Sequence, residues 1–245
     1  MTTAGRFVIL ATPRTGSNLL CTLLNSHPDI LCHHELFNPR GVFLAIDQRD
    51  GPLDLGTMAE RDADPVAFLE RAWAENLGRR VVGFKTGLGQ EGAAMDAAIE
   101  DPTVTKIVVR RRNRVKTFVS ELVALELDQW EVYEESDLLA RPRVTVDPRR
   151  LYENIARNEK FYADLAARLD GLGQEAVDVD YEDLGQAETH ERLLASLGAR
   201  TTVPLRARTV KQNPRDLREI VANYPALEAA LAGSELQAEL HASGD

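Results

Sequence analysis

The chain has only two cysteines, Cys21 and Cys32, in 245 residues, and no run of about 18 apolar residues. Two thiols make neither a disulfide framework nor a zinc site, so both are expected to be reduced and packed in apolar surroundings. The missing apolar run excludes a helical membrane span. A basic excess is also missing: 29 Lys and Arg face 39 Asp and Glu, for a net charge of −10, which argues against a nucleic-acid partner. No signal-peptide core precedes the first apolar run, so a cytoplasmic location is expected. Repeats and low-complexity tracts are absent too. With 44% hydrophobic residues, the whole chain, 1–245, is expected to form a single domain.

What is present begins at Phe7. The apolar run Phe7-Val8-Ile9-Leu10-Ala11 ends in Thr12-Pro13-Arg14-Thr15-Gly16-Ser17-Asn18, and Leu19, Leu20, Leu23 and Leu24 follow at helical spacing. This reads as strand, tight loop, helix N-terminus. The free amides of such a loop and the positive end of the helix dipole favour an anion. The lysine of a Walker A loop is lacking, since Ser17 follows Gly16. The fixed cation is Arg14, which suits a phosphorylated donor that gives up its group without a metal.

Apolar, β-prone runs recur at 30–32, 81–85, 104–109 and 176–180. Helical patterns separate them at 66–76, from the Asn113 N-cap to 127, and at 148–169; a late helix is expected over 214–222. Strands alternating with helices predict an α/β fold of the P-loop-like kind, three layers with a mainly parallel central sheet. Residues 33–39 are expected to leave the sheet as a loop, 41–64 to form a surface lid, and 128–147 to be a second loop. Ligands bind beyond the carboxyl ends of such strands. Arg14, Glu35, Lys85, Arg112 and Tyr181 each fall near a predicted strand exit, which points to one site.

Four segments, in order, resemble the sulfotransferases that use 3′-phosphoadenosine-5′-phosphosulfate (PAPS), in particular the bacterial carbohydrate and natural-product branch. Pro13-Arg14-Thr15-Gly16-Ser17 is similar to their first motif. Arg112-Asn113, with Val119-Ser120 eight positions after the arginine, is similar to the second. Tyr181-Glu182-Asp183-Leu184 and Lys211-Gln212-Asn213 resemble the later strand exit and the returning basic loop. The resemblance implies a PAPS donor, a PAP product and no metal. It implies that Thr15, Gly16, Ser17 and Asn18 hold the 5′-phosphate while Arg14 follows charge onto the leaving oxygen. It implies that Arg112 and Ser120 grip the 3′-phosphate, with Tyr181, Lys211, Gln212 and Asn213 as further donor contacts. Glu35 is the base it favours, on a small-molecule or carbohydrate hydroxyl, with Phe37 and Lys85 on the substrate side; a homodimer is compatible with it.

The residues alone leave alternatives. His34, then His33, rival Glu35 as base. Lys85 can cap its strand instead of touching substrate. Arg110, Arg111 and Arg114 read as surface or ion-paired arginines, and Trp130 as packing or as the acceptor mouth. A P-loop kinase requires the missing lysine; a non-catalytic PAP-binding scaffold requires only the fold.

Overall fold

The computed structural model describes residues 5–214 and 216–242. Strands β1 (Gly5–Ala11), β2 (Ile30–Glu35), β3 (Val81–Gly87), β4 (Val104–Arg110) and β5 (Ala176–Asp180) form one sheet in the order β2-β3-β1-β4-β5. Every neighbouring pair is parallel. The connections carry α1 (Ser17–Asn25), α2 (Met58–Ala63), α3 (Pro65–Ala74), α4 (Ala93–Glu100), α5 (Arg114–Leu127), α6 (Pro148–Gly171) and α7 (Ala187–Ser196). Two more helices, α8 (Tyr224–Leu231) and α9 (Leu236–His241), follow. This is the expected α/β architecture, a parallel sheet flanked by helices.

β1 takes the centre because its unbroken apolar run can be buried on both faces. Phe7, Ile9 and Ala11 pack with Leu20 and Leu24 of α1 and Leu193 and Leu194 of α7. Val8 and Leu10 point the other way, into Phe68 and Leu69 of α3, Ala98 and Ile99 of α4, and Leu165 and Leu169 of α6. The period of two along the strand thus builds two layers of core. A third apolar cluster joins Val115 and Val119 of α5 to Leu227, Leu231 and Leu236 of the last helices.

The sheet's carboxyl edge is tightly drawn. A Cβ on Gly87 would stand 1.7 Å from the Ala11 carbonyl oxygen, so only glycine lets β3 close against β1 there. Tyr162 of α6 ties the same edge across the other neighbour. Its hydroxyl donates to Val109 O (2.6 Å) and accepts from Thr12 N (3.0 Å).

Three local expectations are corrected. β2 continues through His33 and His34 to Glu35 instead of leaving the sheet at 33, because His33 and Glu35 pair with β3. Segment 41–64 contains the helix α2, whose start is fixed by reciprocal bonds between Thr57 and Glu60. The helix expected over 214–222 is absent: Leu217–Glu219 make one 3-10 turn, and Arg215 lies outside the described residues. The backbone there is engaged elsewhere, since Val144 N donates to Ile220 O and Ala222 N to Val144 O, both at 2.8 Å. No helix among the described residues is long and apolar enough to cross a membrane.

Candidate active site

A cavity of about 770 Å³ opens over the carboxyl edge of the sheet, and residues from all five strand exits line it. That volume lies in the range of small-molecule and cofactor sites. Of the residues singled out from the sequence, Arg14, Gly16, Ser17, Asn18, His34, Glu35, Lys85, Ser120, Tyr181, Lys211, Gln212 and Asn213 all line it.

The loop between β1 and α1 ends in an uncapped helix N-terminus. Gly16 is the N-cap of α1 in the left-handed region (φ 88°), with no side chain capping the helix and no acidic residue in its first turn. Its amides and dipole therefore face the cavity without a competing carboxylate of their own helix. A Cβ on Gly16 would fall 2.4 Å from Cδ2 of Tyr181, so glycine is needed both for the turn and for the tyrosine packed on it. Arg14 also sits at positive φ (64°), a strain of about 1–2 kcal/mol for a side-chain-bearing residue. The Thr15 hydroxyl turns back to Thr12 O at 2.8 Å instead of facing the main cavity.

Arg14 is held by three separate segments. Nε donates to Ser120 Oγ (2.9 Å), Nη1 to Trp130 O (2.5 Å) and Nη2 to Gln212 Oε1 (2.9 Å). Burial, with Arg111 and Arg141 adding like charge, lowers its pKa to about 10, which leaves it a cation at neutral pH. The expected neighbours Ser120 and Gln212 are thus gathered around Arg14, although they come from α5 and from the segment after 205.

The carboxylate side is set by a bulge. The β2–β3 register steps from His33↔Phe84 to Glu35↔Lys85, which leaves His34 as the extra residue. A regular strand would point 34 and 35 to opposite faces; the bulge lets both line the cavity. Glu35 Oε1 pairs with Lys85 Nζ at 2.5 Å, and Oε2 accepts from Gln90 Nε2 (2.7 Å) and from Asn38 Nδ2. Burial pushes the Glu35 pKa up, but the Lys85 charge and these hydrogen bonds outweigh it and hold the carboxyl below its usual range.

His34 is buried, with Nδ1 3.3 Å from Asn18 Oδ1 and 3.5 Å from Glu131 Oε2. Nε2 has no hydrogen-bond partner among the described residues. Burial first, then the charges of Lys85 and Arg49, push its pKa well down, so it is neutral at pH 7. His33 points into the core, where Nδ1 accepts from Ala45 N at 3.2 Å; burial takes its pKa to about 4.

Two expected residues stand elsewhere. Phe37 packs edge-on against Phe68 and tilted against Phe84, inside the apolar layer and away from the cavity. Arg112 does not line the main cavity; its guanidinium is turned outward to Asp183 (2.7 Å), Glu182 (3.4 Å) and Asp180 (3.6 Å). Its neighbour Arg111 lines the cavity instead, lying over the Tyr181 ring at 4.5 Å. Sequence spacing favoured 112, and the acids that capture it lie about 70 positions away, beyond any local pattern. Arg114, as expected, is ion-paired, to Glu239, Glu235 and Glu159.

The two segments without periodicity meet over the cavity. Arg40 pairs with Asp128 and Arg49 with Glu131, each at 2.6 Å, and Trp130 lines the opening between them. Asn38, Gln90 and Glu131 went unnoticed in the sequence, where only the glycines flanking Gln90 hinted at a functional loop. No group of three metal-ligating side chains is found among the described residues.

No protein-family model matches the chain. Nodulation protein H of Rhizobium tropici is 26% identical to it over 232 residues, or 93% of this chain and 89% of that protein. The likeness thus runs over nearly the whole of both chains. The chain is also similar to a crystal structure of a sulfotransferase from Alicyclobacillus acidocaldarius, over 98% of this chain and 95% of that one, at 20% identity and a TM-score of 0.49.

Proposed function

We propose that the enzyme moves a sulfuryl group from PAPS to a hydroxyl of a small-molecule or carbohydrate acceptor, with Glu35 as the base. The observation that carries this reading is that the uncapped anion loop, Arg14 and the ionised Glu35 share one cavity. The donor supplies a phosphosulfate whose bridging oxygen gains negative charge as its bond to sulfur breaks.

The chain fits such a ligand. The amides from Gly16 onward receive the 5′-phosphate, and Arg14, a fixed cation beside them, stabilises the charge that develops there. Ser120 and Arg111 present a hydroxyl and a guanidinium to a second phosphate, and Tyr181 packs against both Arg111 and Gly16. Arg111 takes the role first expected of Arg112. Lys211 and Asn213 line the same side. Glu35 accepts the acceptor's proton, while the segments meeting at Trp130 shape the acceptor mouth. The proposed transfer needs no metal, because the protein's own cations Arg14, Arg111 and Lys211 line the cavity. The reading also takes the chain as one domain working in the cytosol, where the buried free thiols Cys21 and Cys32 stay reduced.

His34 is the second reading for the base, favoured by its buried Nε2 without a partner. It is buried, with Nδ1 beside Asn18 and Glu131, which suits it to orienting the hydroxyl. The test is sulfuryl transfer from labelled PAPS to a panel of hydroxyl acceptors without added metal. Label on at least one acceptor supports the proposal. PAP binding with no transfer to any acceptor points to a non-catalytic scaffold.

A further inference from the structure

Lys85 stands on β3 between the two halves of the site. In the order β2-β3-β1 its Cα is paired with Glu35 on one side and with Ile9 on the other, two residues before β1 ends at the anion loop. The side chain is only 8% exposed and lines the cavity together with Gly16 and Ser17. Its ammonium now sits on Glu35 Oε1, while Glu35 Oε2 is held independently by Asn38 and Gln90. The carboxylate therefore stays anchored when the ammonium departs.

We propose that Lys85 is a donor-responsive lock on the base: it silences Glu35 in the free enzyme and releases it when the sulfuryl group of a bound donor draws the ammonium away. This rests on the function proposed above. An ammonium in contact makes a carboxylate a poorer proton acceptor, by about 1–3 pH units for an opposite charge within ~4–6 Å. Once Lys85 moves to the sulfuryl oxygens, Glu35 recovers basicity in the same event that supplies the electrophile with a counter-charge. In the transfer step the acceptor's O–H proton goes to Glu35 Oε1 as its oxygen bonds sulfur. The bond from sulfur to the bridging oxygen breaks, and its electron pair leaves on the phosphate of PAP.

Around Glu35 the other facing groups do not replace the lock. Asn38 and Gln90 are neutral donors, His34 is neutral, and Arg49 and Glu131 pair with each other beyond His34. PAP lacks the sulfuryl group, so PAP and PAPS separate the effect of phosphate binding from that of the sulfuryl oxygens.

The experiment is a pH titration of the Glu35 carboxyl carbon by NMR in protein carrying labelled glutamate, assigned through Glu35→Gln, with saturating PAP or PAPS and no acceptor. Calorimetry on the same samples establishes that each ligand is bound. The expected result is a Glu35 midpoint higher by at least about one pH unit with PAPS than with PAP. In Lys85→Met the midpoint is expected to be high with either ligand, and the wild-type comparison stands even if that variant does not fold. Equal midpoints in wild-type protein with both ligands bound overturn the lock and leave the donor assignment intact. Binding of neither ligand overturns both.

Discussion

Replacing Glu35 by Gln keeps the shape of the side chain and removes its charge. The carboxylate receives three donors, from Lys85, Gln90 and Asn38. An amide offers one oxygen and points an NH2 at one of them, so Lys85 is left largely buried without a counter-charge. Breaking a fully buried pair in this way costs about 3–5 kcal/mol. The Glu35 side chain is 25% exposed, so water relieves part of that, and a loss of about 1–3 kcal/mol is expected. The rate effect is separate: removing a general base lowers turnover by about 10²–10⁴. PAP affinity should be unchanged, because the variant leaves the anion loop, Ser120 and Arg111 in place. Initial rates of sulfuryl transfer, thermal unfolding and PAP titration check the three statements on one sample. Adding Lys85→Met to Glu35→Gln removes the stranded cation and should recover stability without recovering rate. A Glu35→Gln enzyme that turns over within about tenfold of wild type refutes the assignment and moves the base to His34.

Further outcomes follow from other parts of the site. Arg111→Ala should weaken PAP binding by about 1.5–3 kcal/mol, the range for a charge-assisted hydrogen bond, while Arg112→Ala should have a clearly smaller effect; calorimetry on the two variants decides which arginine serves the donor. Gly16→Ala should lose at least about 1–2 kcal/mol of stability and its PAP binding, since it meets both a positive φ and the Tyr181 ring; adding Tyr181→Ala should restore part of the stability, as read by thermal unfolding. The folded-state pKa of Glu35 is depressed, so its stabilising contribution is complete above the unfolded value of about 4.3 and is lost as pH falls through the lower folded value. The stability gap between wild type and Glu35→Gln should therefore hold near neutrality and close in acid, as thermal unfolding across that range will show.

Much of this arrangement was legible before any coordinates. The β1 run ending in Thr12-Pro13-Arg14-Thr15-Gly16 locates the anion loop, because a doubly buried strand must be apolar and a left-handed N-cap must be glycine. The five strand exits likewise follow from apolar runs that end in polar residues. What escaped the sequence depends on side-chain direction and on partners far along the chain. The spacing to Ser120 favours Arg112, yet Glu182 and Asp183 draw it outward and leave Arg111 on Tyr181. The bulge at His34 decides that both His34 and Glu35 face the cavity, and a bulge leaves no mark in a pattern of apolar residues. Phe37 looked available to a substrate and is instead claimed by Phe68 and Phe84. The segments 41–64 and 128–147 were blank because their buried residues, among them Ala45, Leu53, Leu55, Val144 and Val146, follow no clear period, and ion pairs such as Arg49–Glu131 join distant positions.

The central claim, a metal-independent site for a donor with two phosphate positions, is tested most directly by calorimetric titration of the purified protein with PAP in the presence of a chelator, against ADP with Mg²⁺. The account predicts micromolar PAP binding without metal and little response to Mg-ADP. Tighter binding of Mg-ADP than of PAP would contradict it.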